Sequence, residues 1–231
     1  MKQPYLYSNI KHVSHRAVVV LPEIFGVTDF IKGVVDKCAE EFQMPAYALD
    51  HFYAVTGKFE VFDYAKDAER GMAIMNQMTG EQFMNLFTQA LDEIQAEQPD
   101  IQEFIVLGFC FGGRLAYLSG VDKRVSRVVS FYGGQPHKEG YYKGMTPVGA
   151  LAEARKGDEG LAVLGLYGGQ DASIPAEDRA KTKQLFGQAG ISYTEKVYEQ
   201  AGHAFFNNAR PTMYSAQAAA EAWQAVIDFI R

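Results

Sequence analysis

The chain has 231 residues, 22 Lys and Arg against 28 Asp and Glu, and a formal net charge of −6, which argues against nucleic acid or an anionic membrane surface as a partner. A hydrophobic share of 48% suits a packed globular core and not a disordered chain. Two cysteines do not make a disulfide framework, no apolar run approaches the roughly 18 residues of a membrane span, and the opening MKQPYLYSNIKHVSH lacks the apolar core of a signal peptide, so the expectation is a soluble cytoplasmic protein.

In chain order, short β-branched runs alternate with helical patterns. Residues 5–8 can form one short strand at most, and the first strand predicted to be buried covers 17–21. A helix is expected over 28–42, then a strand over 46–49. The segment 52–79 is rich in aromatics (Phe52, Tyr53, Phe59, Phe62, Tyr64) and reads as core-facing loop or lid. A helix over 80–97 precedes a strand at 104–107, a helix at 112–118 and a strand at 125–131. After the open segment 135–158 come a strand at 161–166, a helix at 175–189, a strand at 193–198 and a helix at 216–231. Ala219, Trp223, Val226, Ile227 and Ile230 share one face of that last helix.

Most of the strand runs are apolar throughout, as strands buried on both faces must be, while the last alternates as an edge strand does. Alternation of this kind predicts a single α/β domain over residues 1–231, with a mostly parallel, doubly wound sheet. With no repeat, heptad or linker tract, a monomer is expected. Ligands of such sheets bind beyond the carboxyl ends of the strands. That rule places Glu23, Asp50, Cys110, Asp171 and His203 on one rim. Asp50 is read as a loop cap.

Cys110 stands in Gly108-Phe109-Cys110-Phe111-Gly112, a G-x-nucleophile-x-G turn between a strand and a helix. Glycines on both sides make room for so sharp a turn. The helix N-terminus favours a thiolate, and the N–H of Phe111 points where an oxyanion would develop. Cys38, by contrast, falls in mid-helix and reads as packing. Asp171 follows the strand at 161–166, and His203 lies just past the last strand. Nucleophile, acid, histidine is the chain order of α/β-hydrolases.

Four motifs in that order resemble the dienelactone hydrolase family, thiol-dependent members of the α/β-hydrolase fold. They are Glu23-Ile24-Phe25-Gly26-Val27, the cysteine elbow running into Gly113, the Gly-x-x-Asp-x-x-x-Pro segment around Asp171, and Ala201-Gly202-His203-Ala204-Phe205. The resemblance implies Cys110 as nucleophile, His203 as general base, Asp171 as its orienting acid, and the N–H groups of Ile24 and Phe111 as the oxyanion hole. It implies hydrolysis of a carboxylic ester or lactone through a thioester, with no metal or organic cofactor, and the sequence shows no H-E-x-x-H, C-x-x-C or P-loop pattern. Only 16 residues precede the first strand predicted to be buried, so the antiparallel strands that open larger hydrolases are expected to be reduced or absent.

Glu23 is expected on the same rim as Cys110, beside one oxyanion donor, where its carboxylate would repel a thiolate and restrain the nucleophile. Well-known members of the family hold a substrate carboxylate with arginines, one of them shortly after the catalytic histidine. Here Ala204-Phe205-Phe206-Asn207-Asn208 follows instead, so such pairing would need Arg210 or Arg70 to reach the site. The rival reading is a thiol redox sensor or binding module that keeps the fold without turnover, but such a protein has no need of Asp171 and His203 in hydrolase order.

Overall fold

Seven strands form one sheet in the computed structural model, which describes residues 6–231. They are β1 (Leu6–Asn9), β2 (Arg16–Leu21), β3 (Ala46–Leu49), β4 (Glu103–Phe109), β5 (Val125–Phe131), β6 (Ala162–Gly168) and β7 (Ser192–Tyr198), in the order β1-β3-β2-β4-β5-β6-β7. β1 runs antiparallel to β3 and every other pairing is parallel. The single short antiparallel strand is the reduced opening expected from the sequence. Of that candidate strand, Tyr5 lies outside the described residues.

Parallel strands need crossovers, and helices supply them on both faces. Five of them are α1 (Asp29–Phe42), α4 (Gly80–Glu97), α5 (Phe111–Ser119), α7 (Ala176–Ala189) and α8 (Ala216–Ile230). Successive strand residues point to opposite faces, so Val18, Val20, Ile105, Leu107, Phe109, Val129 and Leu164 pack under α1 and α8. Ala17, Val19, Phe104, Val106, Val128 and Val163 pack under α4 and α5. The five α8 residues assigned to one face are all buried. β7 alternates between exposed and half-buried positions, as the sheet's edge strand.

Three helices were not foreseen: α2 (Tyr53–Thr56) and α3 (Ala68–Gln77) in the first long segment, and α6 (Pro147–Ala154) in the second. Asp50 has the capping role expected of it. Its two oxygens accept from the backbone N–H of Phe52 (3.0 Å) and of Glu60 (2.8 Å), which ties the end of β3 to the segment beyond α2. Among the described residues, no helix is long and apolar enough to cross a membrane.

Candidate active site

Cys110 joins β4 to α5 with φ 54° and ψ −113°, a conformation that costs a non-glycine residue of order 1–3 kcal/mol. The neighbouring glycines make the turn possible by close approach. A Cβ on Gly108 would stand 2.0 Å from the Gly112 carbonyl oxygen, and one on Gly112 would stand 2.2 Å from that of Leu21. The N–H of Gly112 donates to the Pro22 carbonyl at 3.1 Å, so the start of α5 is pinned to the end of β2. That contact brings the segment carrying Glu23 and Ile24 to the nucleophile's side of the sheet.

His203 follows β7, and its Nε2 lies 3.1 Å from Cys110 Sγ. Its Nδ1 lies 2.6 Å from Asp171 Oδ2. The Asp171 side chain is only 1% exposed, and its other oxygen accepts from the Ser173 hydroxyl (2.5 Å) and backbone N–H (2.9 Å). Both carboxylate oxygens are therefore committed. Burial pushes the His203 imidazole toward neutrality, but the bond to Asp171 and the partnership with Cys110 outweigh it and raise its pKa to about 10. Burial opposes the charge of Asp171 too, yet His203 and Ser173 hold its carboxyl below the usual range. An imidazole fixed between acid and sulfur can take a proton at Nε2 and return it.

These groups line a cavity of about 460 Å³. Ile24, Met72, Met75 and Phe111 form an apolar wall, with Arg114, Gln135, Gln170 and Ser173 on the polar side. Among the described residues, the backbone N–H groups of Ile24 and Phe111 meet no protein acceptor, as a pair of oxyanion donors requires. The two methionines come from α3, so the segment read as a possible lid supplies part of the wall. A second cavity, about 580 Å³, lies between α1 and the start of α8 around Phe30, Lys37 and Phe206, and contains neither cysteine nor histidine.

Glu23 is buried, but it closes no hydrogen bond with Cys110. Asn207 Nδ2, remote in sequence, donates to its Oε2 at 2.6 Å and also reaches the Tyr64 hydroxyl at 3.2 Å. Two sequence expectations, Arg70 and Arg210 as substrate anchors, need correction. Arg70 turns outward, 3.4 Å from Glu60 Oε2 and over the Phe62 ring. Arg210 lies over Phe25 and Tyr64. Neither arginine lines the cavity. Arg114, Gln135, Ser173 and the two methionines were missed by sequence reasoning. Only Arg114 left a signal, since a residue four positions after Cys110 shares its helical face.

Burial raises the pKa of Glu23, with Asn207, Arg210, His203 and Tyr132 pulling the other way. A carboxyl whose pKa rises on folding adds stability below its unfolded value and loses it as pH climbs through the folded one. Glu23→Gln is therefore expected to raise the melting temperature by a few degrees near about pH 8, with the gain shrinking toward about pH 4. Thermal melts of the two proteins across that range check this, and a constant difference at all pH values would contradict it.

The same site geometry is set in a chain with clear relatives. The model of the dienelactone hydrolase family matches residues 3–231. A carboxymethylenebutenolidase of Rhodococcus opacus is 27% identical over 228 residues, covering 98% of this chain and 84% of the relative. The solved structure titled "Putative Dienelactone Hydrolase" from Klebsiella pneumoniae subsp. pneumoniae MGH 78578 superposes with a TM-score of 0.80 at 25% identity, covering 97% of this chain and 91% of that one. An alpha-beta serine hydrolase homologue from Coxiella burnetii, at 13% identity and TM-score 0.59 over 94% of this chain and 90% of its own, shares the fold alone. Fold and family model agree over the whole described chain: this protein is an α/β-hydrolase and belongs to the dienelactone hydrolase family.

Proposed function

We propose that this hydrolase cleaves carboxylic esters or lactones through a Cys110–His203–Asp171 triad and a thioester intermediate. The observation that carries the reading is the continuous line from Sγ to Nε2 (3.1 Å) and from Nδ1 to the Asp171 carboxylate (2.6 Å), at the edge of a cavity sized for a small substrate. Sulfur, its proton passed to Nε2, attacks the carbonyl carbon. The electron pair moves onto oxygen, where the N–H groups of Ile24 and Phe111 receive it. Collapse expels the alkoxide, which leaves with the proton from Nε2. Water, deprotonated by the same nitrogen, then cleaves the thioester and frees the sulfur.

Glu23 enters this scheme through the imidazole, because its charge interacts with His203 while its hydrogen bond goes to Asn207. The restraint proposed for Glu23 thus reaches the base.

The test is rapid acid quenching during turnover of p-nitrophenyl acetate, followed by peptide mass analysis. One acetyl group on the Cys110 peptide, removed by neutral hydroxylamine, is expected, and His203→Ala is expected to acquire it far more slowly. Steady turnover with Cys110 never acylated would defeat the mechanism.

A further inference from the structure

We propose that the cavity between α1 and α8 is a second binding site, separate from the catalytic one, for an apolar carboxylic acid in its anionic form. It holds about 580 Å³ and none of the triad residues lines it. Phe30, Phe206 and Tyr214 give it aromatic walls, and Ala216, Ala219 and Ala220 of α8 are too small to fill it. Gly33 of α1 also borders it, and a Cβ at that position would meet nothing within 4 Å. Such a lining takes up alkyl or aromatic surface and shields it from water.

The charge comes from Lys37, the one cation among the lining residues. Its ammonium lies 4.2 Å from the centre of the Trp223 ring and 5.9 Å from that of Phe206. Every other charged side chain of α1 has a polar partner. Asp29 pairs with Lys32 (3.0 Å), Asp36 accepts from Asn9 (2.8 Å), Glu40 pairs with Lys11 (3.3 Å) and Glu41 with Arg231 (2.8 Å). Among the described residues Lys37 enters no ion pair. Partial burial pushes its pKa down, with Cys38 and Glu41 pulling the other way, as expected of an ammonium that neighbouring rings have partly stripped of water. The indole N–H of Trp223 is buried without an acceptor. Two donors without acceptors therefore stand side by side where Lys37 meets the cavity. Asp29, the acid in the lining, is engaged by Lys32, so the site does not suit an amine. One ammonium among apolar walls matches one carboxylate on an apolar body, whereas a doubly charged phosphate would lack a second cation.

Trp223 is the chain's single tryptophan, so its fluorescence reports on this cavity without turnover. Titration with octanoate is expected to give a saturable change in emission, and octanol, equally long and uncharged, to bind about 10-fold more weakly. Lys37→Gln is expected to weaken octanoate by about 10-fold and to leave octanol as it was. Gly33→Leu keeps the charge and fills the space, and is expected to abolish the response to both. Leucine also suits a helix better than glycine, so the fold should hold. No saturable change in the wild type, equal affinity for octanoate and octanol, or unchanged octanoate affinity in Lys37→Gln overturns the proposal. So does an octanoate response that survives in Gly33→Leu, which would put the acid elsewhere, the catalytic cavity included.

Discussion

Replacing Cys110 with alanine is expected to remove essentially all ester turnover, a loss of about a millionfold in kcat, as when the nucleophile of a hydrolytic triad is deleted. The oxyanion donors and the cavity remain, so a small residual rate over uncatalysed hydrolysis is expected. The fold should persist, because one sulfur atom is lost at a partly buried position. Cys38 supplies the control. It is fully buried under the sheet among Val34, Val35 and Ala39 of α1, and burial pushes its thiol pKa far up, which leaves it unreactive. Cys38→Ala is expected to cost about 1 kcal/mol of stability with turnover unchanged. Steady-state kinetics with p-nitrophenyl acetate and thermal melts of both variants make the comparison, and equal activity losses would show the roles to be misassigned.

Asp171→Asn is expected to fold normally and to lose about four orders of magnitude in kcat. The Asn carbonyl can still accept from Ser173, which then turns its amide N–H toward His203 Nδ1. That forces Nδ1 to accept and leaves the proton on Nε2, the nitrogen facing sulfur at 3.1 Å. The base is present but holds its proton on the wrong side. A variant rate within about twofold of wild type would contradict the effect expected of this tautomer and would mean that another group orients the imidazole.

The parallel strands and the three triad residues were legible in the sequence for the same reason. Strands buried on both faces leave apolar runs with no helical period, and the residues just beyond them are the ones a doubly wound sheet gathers on one rim. Two kinds of feature escaped. α3 reads Ala-Glu-Arg-Gly-Met-Ala-Ile-Met-Asn-Gln and buries only Gly71 and Ile74, within a segment whose neighbouring aromatics read as a loop or lid. α6 is eight residues long and opens on Pro147 with a glycine inside. The other kind is tertiary. Nothing local to Glu23 shows that an amide 184 residues later will hold it. Nothing local to Arg114 shows that Gly134 and Gln135 will take two of its nitrogens and leave the third without a partner.

The left-handed backbone of Cys110 has company. Tyr132, at the end of β5, and Ala204, directly after His203, also have positive φ, at 41° and 58°. Each is a residue that glycine would relieve, and each adjoins the triad, for the Tyr132 ring stands 5.2 Å from that of His203. A screen that ranked substitutions by thermal tolerance alone would therefore be drawn to glycine at these positions. It would select for a more comfortable chain while loosening the segments that hold sulfur and imidazole in line. In this protein three of the left-handed positions hold the catalytic groups in place, and an engineer seeking robustness would do better to work on the outer face of β7 and leave those three as they are.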